Sequence, residues 1–145
     1  MKSILLSLMM LFTLPVTASD YQQQIDTFFK NLKEGNINAA VSELYSSNAY
    51  VSAIPDQIQQ VKNQLSALDG LVGKMLNLEK LDTYQVGNSM VHVTYVAVYD
   101  RQPIRFEFQF FKAADEWRVY SMSFDDDLDD EIKVLARRRA LNGKN

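Results

Sequence analysis

His92 is the only histidine in a chain of 145 residues that contains no cysteine. The missing thiols exclude disulfides, cysteine nucleophiles and thiolate metal sites, and a lone imidazole lacks the companions that zinc needs. His92 is therefore read as an exposed or interface side chain beside Phe111. Asp125, Asp127 and Asp129 alternate like the first ligands of a calcium loop. Such a loop needs glycine where Asp130 stands and a closing glutamate where Ala136 stands, so the reading is an acidic helix start and not a metal site. Arg137, Arg138 and Arg139 then sit at the basic end that a helix dipole favours. The formal net charge is −3, which argues against nucleic acid or anionic membranes as general partners of the arginines. For proton transfer the chain offers Glu79, Asp82 and Asp100, provided that the fold turns one of them inward.

The aromatic residues allow another kind of site. Tyr45, Tyr50, Tyr95, Tyr99, Phe106 and Phe108, with Ser121, could line a pocket whose hydroxyls orient a mostly apolar ligand. The same rings could instead fill a core. A second group, Val96, Val98, Phe111, Tyr120, Met122 and Phe124, is too apolar for a fully wetted sheet face and suits a partner surface, most simply a second copy of the chain.

These residues lie on three consecutive strands. Residues 104–110 alternate apolar and polar without a break, the period of a strand with one buried face. Residues 90–99 are rich in Val, Thr and Tyr, and residues 100–103 supply a turn. A turn centred on Arg101 and Gln102 sets Tyr99 opposite Ile104, Ala97 opposite Phe106, Tyr95 opposite Phe108 and Val93 opposite Phe110. Continued into residues 117–124, it places Val119 beside Phe110, Ser121 beside Phe108 and Ser123 beside Phe106. The small residues either admit a helix or leave a hollow.

Upstream, Tyr21, Ile25, Phe28, Phe29 and Leu32 form the stripe of an amphipathic helix, capped by Ser19 or Asp20 and ended by Gly35. Asn36 opens a shorter helix with Ile37, Ala40, Val41 and Leu44 inward, and residues 46–53 read as a loop. Pro55 and Asp56 start a third helix that Gly70 stops. Residues 73–86 do not alternate cleanly, so a bulged strand is expected there. A C-terminal helix follows the sheet. Residues 1–18 combine an early lysine, an apolar run and small residues before a cut after Ala18, the pattern of a secretory signal peptide. No cysteine follows the cut, so export to the periplasm or beyond without a stable membrane anchor is expected. Residues 19–145 then form a single domain.

Three helical segments, a long strand and an antiparallel meander with Trp117-Arg118-Val119 in its last strand resemble the NTF2-like, or cystatin-like, α+β fold. Residues 105–112, and 117–126 after them, are similar to uncharacterised exported bacterial members. The resemblance implies N-terminal helices packed on a curved antiparallel sheet, forming a cone with a pocket, and often dimerisation through the sheet. Catalytic relatives carry a carboxylate or histidine inside the cone, and the inward positions here hold no acid and only Lys112, at the rim, as a base. The reading is thus a non-catalytic, cofactor-free domain that binds a small apolar or amphipathic ligand in its cone. The alternatives are an interaction or homodimerisation module using the outer sheet face, and a small-molecule isomerase or hydrolase.

Overall fold

The computed structural model describes residues 20–143, so the signal peptide expected over residues 1–18 lies outside the described residues. Helices α1 (Tyr21–Lys33), α2 (Ile37–Ser46) and α3 (Pro55–Val72) precede four strands, β1 (Met75–Val86), β2 (Met90–Tyr99), β3 (Pro103–Ala113) and β4 (Glu116–Asp125). Helix α4 (Asp129–Leu141) closes the chain. The architecture is α+β: a curved antiparallel sheet of order β1-β2-β3-β4, with the first helices on one face.

Local chemistry accounts for the helix ends. Asp20 caps α1 by accepting from the Gln22 backbone N–H, and Lys30 and Lys33 lie in its last turn. Helix α3 runs past Gly70 and ends at Gly73, whose φ is +83°. A side chain at Gly73 would put its Cβ 2.7 Å from that of Asp100, so only glycine permits this close approach of α3 to the β2–β3 turn. Residues 49–53, expected as loop, form a short 3₁₀ turn capped by Asn48.

The alternation in β3 places Ile104, Phe106, Phe108 and Phe110 on the buried face, as expected. The pairing differs by two residues: Tyr95 faces Phe106, Val93 faces Phe108 and Val91 faces Phe110. The turn explains the offset. The Arg101 backbone N–H donates to the Val72 carbonyl at 3.0 Å, and its guanidinium donates to Gly70 and Leu71 carbonyls at 2.9 and 3.0 Å. The loop thus caps α3 and does not close a minimal hairpin. Because side chains alternate with a period of two, a slip of two residues leaves both faces unchanged.

Strand β4 breaks the expectation more deeply. Val119 pairs with Phe110 as expected, but an extra residue at Tyr120 sets Ser121 opposite Gln109, Met122 opposite Phe108, Ser123 opposite Glu107 and Phe124 opposite Phe106. The bulge reverses the faces beyond it. Next to it, the Val119 N–H donates to Ser47 Oγ at 3.0 Å and the Val119 carbonyl accepts from Asn48 Nδ2 at 2.9 Å. This clamp ties the strand to the end of α2, leaving Tyr120 as the unpaired residue. Met122 and Phe124, expected on the outer face, therefore point into the core, and Ser121 and Ser123, expected inside, point out.

Candidate ligand-binding groove

Of the two readings of the interior, a hollow or a filled core, the structure has the filled one. Phe28 and Phe29, adjacent on α1, both turn inward because their positions straddle the centre of its apolar stripe. Phe28 lies 5.3 Å from Phe108, and Phe29 lies 5.3 Å from Phe106 and 5.2 Å from Tyr95, measured between ring centroids. Most of these rings meet edge to face, the geometry that aromatic quadrupoles favour. The Tyr95 hydroxyl accepts from Gln22 Nε2 at 2.8 Å. Tyr95, Phe106 and Phe108 are thus brought together as predicted, but as a packed core.

The other pocket candidates are dispersed. Tyr99 is buried beside a depression lined by Leu32, Lys33, Asp69, Lys74 and Met75, and burial aided by the nearby Asp69 carboxylate pushes its hydroxyl up to about 12. Tyr45 is half-buried in a cleft between α2, the 3₁₀ turn and α3. Burial raises its pKa, opposed by a hydrogen bond from the Met122 backbone. Tyr50 is 77% exposed, and Ser121 lies on the far side of the sheet.

Where α1 and the edge strand β1 part, a groove of about 340 Å³ opens, lined by Asp26, Phe29, Lys30, Lys33, Met75, Leu76, Asn77 and Leu78. The sequence creates it in two ways. Asp26, Phe29, Lys30 and Lys33 recur at helical spacing on one side of α1. Opposite them the pairing of β1 shifts between Met75 and Asn77, so Leu76 is extruded and Met75 and Leu78 remain half-buried. Phe29 separates the groove from the aromatic core. Farther along β1, outside the lining of the groove, Lys80 Nζ donates to Gln22 Oε1 at 2.5 Å and lies 5.7 Å from the Tyr95 ring centroid. Sequence reasoning gave Lys30 and Lys33 no part in a site and missed the groove. Its trace in the sequence is the failure of alternation over residues 75–78.

On the outer face, Val96, Val98 and Phe111 are half-buried, and Tyr120 is 64% exposed with its ring edge-on to Phe111 at 6.4 Å. Among the predicted interface residues, these four face outward and Met122 and Phe124 do not: Met122 is 7% exposed, and Phe124 stacks on Phe106 at 5.5 Å. The centre of this face is polar. His92 lies opposite Gln109, not Phe111: Nδ1 is 3.2 Å from Gln109 Nε2 and Nε2 is 3.2 Å from Glu107 Oε1. A neutral ring protonated on Nε2 satisfies both partners. Thr94, 3.2 Å from Nε2, is buried, so the trio presents no accessible hydroxyl for nucleophilic chemistry. Arg105 joins Asp125 at 2.9 Å and Glu131 at 3.1 Å, which ties α4 to the sheet and commits Asp125. Asp129 pairs with Lys133 at 3.0 Å. Glu79 and Asp82 pair opposite Val96 and Thr94, residues of the outer face. Asp100 is exposed and accepts from the Lys74 backbone N–H at 3.2 Å.

A curved antiparallel sheet wrapped around amphipathic helices, with a surface groove at the seam, defines an α+β cone, an architecture that does not by itself select a function. No protein-family model matches the chain, and no curated protein sequence does. A Campylobacter jejuni protein described provisionally as an NTF2-like transpeptidase superposes with a TM-score of 0.54 at 16% identity, covering 70% of this chain and 97% of that one. The chain has the NTF2-like fold. An NTF2-like protein of unknown function from Cytophaga hutchinsonii gives a TM-score of 0.45 at 13% identity, over 81% of this chain and 98% of that one. A phospholipid-binding protein from Ralstonia solanacearum, solved with a phospholipid, gives 0.43 at 14% identity, over 85% and 87%. Among the described residues, no helix is long and apolar enough to cross a membrane.

Proposed function

We propose that this chain is an exported, non-catalytic binding domain that holds a small amphipathic molecule in the groove between α1 and β1. The observation that carries this reading is the partly uncovered apolar floor of Phe29, Met75 and Leu78 beneath a polar rim. Its volume falls at the lower end of the range of about 300–1,000 Å³ usual for ligand sites. With the cone filled by Phe28 and Phe29, binding moves outward by one aromatic layer. The uncharged fluorophore N-phenyl-1-naphthylamine tests this. Its emission should saturate at one equivalent per chain with a Kd on the order of micromolar. Leu78→Arg should weaken binding by about tenfold or more, since it places a charge on the floor. Val51→Arg, in the cleft beside α3, should leave it unchanged. Unsaturable emission, or equal binding by Leu78→Arg, overturns the reading.

A second reading, self-association through the outer sheet face, is favoured by an apolar row across the strands. Val86 lies opposite Met90, Met90 opposite Phe111, and Phe111 meets Tyr120. Val86, Met90 and Tyr120 are all exposed, and Tyr84 extends the row on the same side of β1. Sedimentation equilibrium should show a dimer that Tyr120→Glu dissociates. A strict monomer at all concentrations removes this reading.

A further inference from the structure

We infer that the ligand of the α1–β1 groove is a single-chain amphiphile with a carboxylate head, held at Lys30 and Lys33 with its tail over Phe29, Met75 and Leu78. This rests on the groove being a binding site. Both lysines lie on its wall, and neither ammonium makes an ion pair or side-chain hydrogen bond among the described residues. Nor are they needed to close the helix. The carbonyls of Lys30, Asn31 and Leu32 already accept from the backbone N–H groups of Glu34, Asn36 and Gly35 at 3.1, 2.8 and 3.1 Å. Two unpaired ammonium groups on the wall beside an apolar floor are what a compact anionic head attached to an alkyl chain requires.

The carboxylates nearby set the direction of binding. Asp26, the acid lining the groove, lies one turn before Lys30 and accepts from Gln22 Nε2 at 2.7 Å. In the adjoining depression Lys33 and Lys74 stand with Glu34 and Asp69, whereas the lining of the groove itself sets Lys30 and Lys33 against the single carboxylate of Asp26. Toward Gln22 a head meets the Asp26 carboxylate, whereas beside Lys33 it lies two helical turns from Asp26. The tail then runs away from the lysines along the floor. A volume of about 340 Å³ suits one chain and not two.

The test compares dodecanoate, dodecan-1-ol and dodecyltrimethylammonium below their micellar concentrations, by displacement of N-phenyl-1-naphthylamine. Two partly screened ion pairs should make dodecanoate bind about tenfold more tightly than the alcohol, with the cation weakest. The double variant Lys30→Gln/Lys33→Gln should reduce dodecanoate to the affinity of the alcohol while leaving the alcohol unchanged, which also reports that the groove is intact. High salt should erase the preference. Equal affinity for acid and alcohol in the unmodified protein, or a preference that survives the double variant, overturns this inference and leaves the groove a binding site. Failure of dodecanoate, dodecan-1-ol and the fluorophore all to bind overturns both.

Discussion

Phe108→Ala should lower the free energy of unfolding by about 3–5 kcal/mol, the range for deleting a buried aromatic ring. Phe108 is fully buried and packs against Phe28, Phe29 and Tyr95 at centroid distances of 5.3, 5.6 and 6.2 Å. These neighbours belong to α1 and β2, so the vacated space borders two layers and neither can collapse into it without dragging the other. A domain of this size is stable by only about 5–15 kcal/mol, so this one ring accounts for a large share of the margin. Urea denaturation followed by tryptophan emission provides the measurement. Trp117 lies at the edge of the same core, 5.3 Å from Tyr21, and should report the transition. An unchanged midpoint would mean that the aromatic face of β3 is not the core.

Met122→Lys and Ser123→Lys form a matched pair that reads the direction of β4. With Tyr120 bulged, Met122 lies in the core opposite Phe108 and Ser123 lies outside opposite Glu107. An ammonium at position 122 loses its water without gaining a carboxylate, and should cost several kcal/mol or prevent folding at neutral pH. The same side chain at position 123 faces a carboxylate across the strands and should change stability by no more than about 0.5 kcal/mol. In an unbroken strand the two effects would be exchanged. Thermal unfolding of both variants decides it, and a harmless Met122→Lys would remove the bulge from the account.

These two variants also show where sequence reasoning succeeded and where it failed. The alternation from Ile104 to Phe110 identified the buried face of β3 correctly, although the pairing was wrong by two residues, because the pleat repeats every two. From Val119 to Phe124 the same reasoning had no firm pattern. Val119, Ser121 and Ser123 on one side compete with Tyr120, Met122 and Phe124 on the other, and neither set is plainly the inner one. The choice was made by Ser47 and Asn48, more than 70 positions away in sequence, which hold the Val119 backbone. The proposed pocket residues suffered from a related limit. Tyr95, Phe106 and Phe108 were placed on the right face, but their being enclosed depends on Phe28 and Phe29 arriving from α1.

The order of helices and strands, the inward face of β3 and the α+β class are set by periods of 3.6 and 2 together with capping and turn residues, which are local properties that can be read along the chain. Whether the cone is hollow, which way β4 faces after Val119, and where α1 leaves β1 uncovered depend on side-chain volumes and backbone hydrogen bonds meeting across distant segments. Close packing decides such questions only when all the parts are in place.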